Sequence, residues 1–148
     1  VGQFEATITE LVALAVLMPI VAGMGGNAGT QVLALMVRGI ALGQVGASNI
    51  KPLLWKEARV ALLNGIVLGT ILALIVLLWF HSIGLSVVIF IALTCNLVLA
   101  AIAGVLVPVT LKRAGYDPAL ASGIFLTTVT DVMGFFTFLG LATLVLLR

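Results

Sequence analysis

Long apolar runs separated by short polar intervals set the pattern of this chain. From Leu11 to Val37 no residue is charged, and the run stops at Arg38. At about 1.5 Å per residue, a helix over 11–37 would extend roughly 40 Å, enough to cross a hydrocarbon core of about 30 Å. The interval from Ala41 to Lys51, with Gly43, Gly46, Ser48 and Asn49, reads as a loop. Pro52 then suits the first turn of a helix that carries Trp55, Lys56, Glu57 and Arg59 before a second span over 60–80. Trp79 and His81 mark the far interface of that span, where amphipathic rings prefer to sit. A short turn, 81–84, leads to a third span over 85–111, which Lys112 and Arg113 stop. The turn 114–118 ends in Asp117, a suitable N-cap, followed by Pro118 at the first helical position. A fourth span over 119–147 closes at Arg148. The pattern predicts an all-α, polytopic membrane bundle with four spans.

The first span contains its own interruption. Pro19 removes a backbone donor, and Gly23, Gly25, Gly26, Asn27 and Gly29 follow closely. Each glycine inside a helix costs roughly 1 kcal/mol against alanine, so the segment predicts a broken helix. Irregular backbone at membrane depth is tolerated only where it is buried in protein or faces a water-filled cavity, and broken membrane helices offer free carbonyls as ion ligands. The structural alternative is close helix packing at small residues. The density of glycines, together with Pro19 and Asn27, favours the functional break.

Composition agrees with a membrane location. The chain has 148 residues, 63% of them hydrophobic and only 8% charged, with a mean hydropathy of +1.37. Soluble domains carry about a quarter charged residues. The net charge of +2 is too small and too dispersed to point to nucleic acid. Its distribution is more informative. Arg38, Lys51, Lys56 and Arg59 fall in the first connection, Lys112 and Arg113 in the third, and none in the second. Positive charge therefore predicts that the first and third connections are cytoplasmic and both ends of the chain are outside. With no start Met and no visible signal peptide, this orientation predicts at least one further helix upstream. Cys95, the single cysteine, lies in an apolar run and reads as a small core residue. Lys56, Glu57 and Arg59 read as a solvated helix start. Asn64 with Gly65 and Gly69, and Thr94 with Asn96, read as helix-packing residues.

One carboxylate lies deep in a span. Asp131 sits near the middle of the fourth, and a charge at the bilayer centre costs about 2.5–3.5 kcal/mol on insertion scales. No Lys or Arg lies in the middle of any span, so compensation must come from hydroxyls, backbone dipoles, water or a cation. Thr127 and Thr128, four and three residues earlier, share its helical face. A protonated Asp131 acting as a structural hydrogen-bond donor is the alternative. Carboxylate, hydroxyl, amide and carbonyl oxygens suit hard cations such as Mg2+, Ca2+ and Mn2+. One carboxylate is thin for a divalent ion, whereas a twofold dimer would bring two Asp131 residues to one pore. No nucleophile–base pair or catalytic metal cluster is evident, which argues against an enzyme.

With these residues in hand, the sequence resembles the transmembrane domain of the MgtE family of magnesium channels, related to solute carrier family 41. The resemblance rests on Pro-x-x-x-Gly-x-Gly-Gly-Asn-x-Gly-x-Gln from Pro19 to Gln31, on Asp117-Pro118-Ala119-Leu120, and on Thr130-Asp131-Val132-x-Gly134. It implies a homodimer with five helices per subunit in the cell membrane and a pore on the twofold axis. It also implies a cytoplasmic N-terminal domain and a CBS pair that close the pore when magnesium is plentiful. The present chain would be the last four helices. The resemblance puts the pore carboxylate at Asp131 and the ion-facing segment at Gly23, Gly25, Gly26 and Asn27. One departure is that an asparagine found in some members eight residues before the pore carboxylate is Gly123 here, and Thr127 stands where a small apolar residue is usual. The combined expectation is a channel for hydrated Mg2+, with Asp131, Gly23, Gly25, Gly26, Asn27 and Thr127 facing the ion. An ion- or proton-coupled carrier with a titrating Asp131 is the alternative, and a non-transporting scaffold is a third class.

Overall fold

The computed structural model describes residues 2–146, with side chains from residue 12 onward; the surroundings of Glu5 and Glu10, and the expected end at Leu147 and Arg148, lie outside the described residues. Four helices account for almost all of it: α1 (Gly2–Ala41), α2 (Ile50–Phe80), α3 (Ile83–Arg113) and α4 (Pro118–Leu146). All four are long and apolar enough to cross a membrane, α1 over Val12–Ala41. Among the described residues there is no strand.

The connections follow the expected chemistry. Asn49 closes the first loop, its Oδ1 accepting from the Gly46 amide at 2.8 Å and its Nδ2 donating to the Gln44 carbonyl at 2.7 Å. Ser82 caps α3 by accepting from the Leu85 amide, and Asp117 Oδ1 accepts from the Ala119 amide at 3.0 Å at the start of α4. His81 ends α2 with φ 53°, in the left-handed region. A side chain there costs about 1 kcal/mol that glycine avoids. His81→Gly is therefore expected to raise the melting temperature in detergent by about 2–4 °C, measured by thermal shift.

The predicted break in the first span is not present. α1 runs as one continuous helix through Pro19 and the whole glycine segment. The reason lies in its neighbours. A Cβ at Gly29 would come 3.2 Å from the Ala100 carbonyl oxygen, and one at Gly104 would come 2.9 Å from the Gly29 carbonyl oxygen. These glycines permit close approach of α1 to α3, and the packing recovered there offsets their poor helix propensity.

α3 is the central helix. Its buried positions run from Leu85 to Val109, whereas α2 buries only Ala61, Gly65, Gly69 and Val76. That narrow stripe seats Gly65 against Thr94 and Gly69 against Phe90 and Thr94, which supports the packing reading of Gly65, Gly69 and Thr94, whereas Asn64 is exposed. α1 and α2 barely touch, while α1 and α4 both pack against α3 and against each other. Larger apolar side chains fill the two ends of the bundle. Leu17, Val21, Val88 and Phe138 lie at one end, and Val32, Met36, Val105 and Val109 at the other. Between them is a waist of small residues, including Gly25, Gly29, Ala100 and Gly104. The exterior is also apolar, with Leu78, Trp79, Leu120, Ile124 and Phe136 strongly exposed, as suits a lipid-facing surface.

Two side chains depart from expectation. Cys95 is exposed rather than in the core. α3 is apolar all round, so hydropathy gives no face, and the helical turn that buries Asn96 directs its neighbour outward. Glu57 is not a freely solvated residue at a helix start. Its side chain is only 11% exposed, 3.9 Å from Lys56 Nζ, and it lines a cleft of about 210 Å³ with Gln31 and Asn64 where α1 and α2 separate.

Candidate functional site: the α1–α4 seam

The height of each residue in the bundle follows from contacts across the helices. Gly29 faces Leu126, Gly26 faces Thr130, and Gly25 and Gly134 both face Asn96 of α3. α1 and α4 are therefore antiparallel, and residues 23–27 stand at the level of residues 127–134. Asp131 lies within this level, half-buried beside the packed stripe of Leu126, Thr130, Gly134 and Phe138. No residue among those described forms an ion pair with it.

The accessible residues at this level include Gly23, Asn27, Thr127 and Thr128, with the apolar Val129 and Val132 also exposed on α4. Gly23 and Asn27 are exposed on α1, and a Cβ at Gly23 would meet nothing within 4 Å. Gly26 is half-buried, its side facing Thr130 Oγ1 at 3.9 Å. Gly25 is buried and turned toward Asn96, away from Gly23 and Asn27. Thr127 is exposed, with its hydroxyl donating to the Gly123 carbonyl at 2.8 Å, and Thr128 does the same to Ile124. Their hydroxyl hydrogens are thus committed within α4, which leaves oxygen lone pairs as what they offer outward.

Because α1 is continuous, the carbonyls of residues 23–27 belong to a helical ladder and are not free half-helix ends. The Gly26 carbonyl also accepts from Thr30 Oγ1 at 2.7 Å. A helical carbonyl keeps a second lone pair, and a missing side chain uncovers it to water. Thr30 was not singled out by the sequence, although its spacing of four from Gly26 is the usual one for a hydroxyl bonding back along a helix. Among the described residues, no group of three or more His, Cys, Asp or Glu side chains could enclose a metal ion. One chain thus presents a single carboxylate among neutral oxygens, a donor set for a cation that keeps most of its water, as Mg2+ tends to do.

The profile of the MgtE family, described as a divalent cation transporter, matches residues 18–141. The chain belongs to the MgtE family. The match includes the seam, from Pro19 through Asp131 and Gly134. Similar proteins carry the same family name. The magnesium transporter MgtE of Bacillus subtilis is 33% identical over 143 residues, and that of Enterococcus faecalis is 35% identical over 144 residues. The magnesium transporter MgtE of Thermus thermophilus is 34% identical over 143 residues. Each alignment covers 97% of this chain and 32% of the relative, so the chain spans about a third of the length of these MgtE proteins.

Proposed function

We propose that this chain forms the ion-conducting part of a Mg2+ channel in the cell membrane, passing hydrated Mg2+ toward the cytoplasm through a pore at a homodimer axis. The observation that carries the reading is the shared height of Asp131 and the exposed Gly23 and Asn27 on the α1–α4 seam. Two Asp131 carboxylates across a twofold axis would attract a divalent ion more strongly than a monovalent one, since Coulomb attraction scales with ionic charge. Asn27, Thr127 and the uncovered carbonyls near Gly23 would accept hydrogens from the ion's water shell, whereas the Gly26 carbonyl is already taken by Thr30. Gly25 would serve the same segment indirectly, by letting α1 approach α3. In the intact protein, cytoplasmic N-terminal and CBS domains would regulate this path.

The driving force would be the membrane potential, worth roughly 4.6 kcal/mol per 100 mV for a divalent ion. The test is Mg2+ uptake into proteoliposomes holding the intact protein, under an imposed inside-negative potential and read by an entrapped Mg2+ indicator. Flux is expected to rise with potential and with Mg2+ concentration, and to vary little between about pH 6.5 and 8. Saturating flux that follows a proton gradient would replace the channel with a carrier in which Asp131 titrates. Absence of cation flux would overturn the transport reading.

A further inference from the structure

Asn96 is fully enclosed, at 0% exposure, in the middle of α3. Its Nδ2 donates to the Val21 carbonyl of α1 at 2.8 Å, and its Oδ1 has no hydrogen-bond partner. The amide fits because two glycines face it from two other helices. A Cβ at Gly25 would collide with Nδ2, and a Cβ at Gly134 would lie 2.9 Å from Nδ2 and 3.2 Å from Cγ. One side chain therefore touches α1 and α4 at once.

Simple space-filling does not account for this arrangement. An apolar side chain of similar volume would fill the slot without burying an unpaired acceptor, so the amide costs stability that packing alone would not require. What the amide adds is direction. Its hydrogen bond selects one carbonyl of α1, and the two glycines admit the group at one height only, so sliding or rotating either helix would break the bond or drive a side chain into the slot. That height is the level of the seam, since Gly25 lies inside the 23–27 segment and Gly134 lies three residues after Asp131.

We propose that Asn96 is a positioning residue for the cation path, holding α1 and α4 in the register that sets the Gly23–Asn27 backbone beside Asp131. The proposal rests on the transport reading above. Asn96 itself does not touch the ion; it acts through the two helices that carry the seam.

The test uses Asn96→Leu, which keeps the number and branching of the side-chain heavy atoms and removes the amide, and Asn96→Ala, which cannot collide with Gly25 or Gly134 and serves if the bulkier leucine variant fails to fold. Both are made in the intact protein. The first readout does not involve transport. Gly26→Cys and Thr130→Cys are combined in a Cys95→Ala background, and the rate of bridging by a short bifunctional thiol reagent reports the α1–α4 register. The second readout is the Mg2+-to-Na+ permeability ratio in proteoliposomes. Removal of the amide is expected to slow bridging at least threefold and to lower the permeability ratio about tenfold in protein that remains folded. Unchanged bridging would overturn the register role whatever the transport result. Slowed bridging with an unchanged ratio would overturn the link to the cation path. Slowed bridging in a protein whose wild type carries no cation would locate the failure in the transport reading and would remove the cation path from the proposal.

Discussion

Asp131→Ala is expected to reduce Mg2+ flux by about a hundredfold while the four helices assemble as before. The carboxylate is half-buried on α4, with no ion pair to it among the described residues, so its field is available to a passing cation. With an effective dielectric constant of about 40 and a separation of about 5 Å, one carboxylate attracts a divalent ion by roughly 3 kcal/mol. The substitution removes both carboxylates of the proposed homodimer, and at about 1.4 kcal/mol per factor of ten the loss corresponds to roughly two decades in rate if about half of their summed attraction is realised at the barrier. Asp131→Asn should lose nearly as much, because it keeps the shape and removes the charge. Stability should hold or rise, since a carboxylate at this depth is costly to the fold. The measurement is Mg2+ uptake in proteoliposomes at matched protein content and matched elution from a sizing column. Wild-type flux in a folded Asp131→Ala protein would remove the carboxylate from the path.

Gly104→Val should have the largest effect on stability. The new Cβ would lie 2.9 Å from both the Gly29 carbonyl oxygen and Val32 Cβ. A flexible side chain could move aside, but the backbone of α1 can retreat only by separating from α3 along its length. Overpacking of this kind costs about 1–3 kcal/mol. For a chain of this size that corresponds to a fall in melting temperature of roughly 2–12 °C, read by thermal shift in detergent. Gly140→Val is the matched control, because a Cβ at Gly140 would meet nothing within 4 Å; its melting temperature should stay within about 2 °C of wild type. Equal losses in the two variants would show that the α1–α3 approach does not govern the result, since valine is a better helix former than glycine at both positions.

The four helices and their turns were legible because their signals are chemical and local. Charged residues stop the apolar runs, and Asp117 with Pro118 specifies a helix start that needs no tertiary context. Asp131 was legible as the one deep carboxylate, since composition alone makes it an exception. The state of α1 was not legible. Glycines at Gly25 and Gly29 look the same in sequence whether they break a helix or admit another one. Only the identity of what faces them, Asn96, Ala100 and Leu126, decides the matter. The same limit explains Cys95 and Glu57. On a helix apolar all round, or at the edge of a cleft between two helices, the buried direction is set by neighbours far away in the chain.

The scarcity of contact between α1 and α2 has a consequence for biosynthesis. Ribosomes deliver helices in order, at about 5–20 residues per second, so several seconds separate α1 from the α3 surface that accepts it. During that time α2 offers α1 almost no partner, whereas α2 and α3 can pair as soon as both have emerged, across the two-residue turn of His81 and Ser82. The bundle is therefore assembled around its third helix. In a nascent chain stopped at Phe80, α1 and α2 would have little reason to stay together.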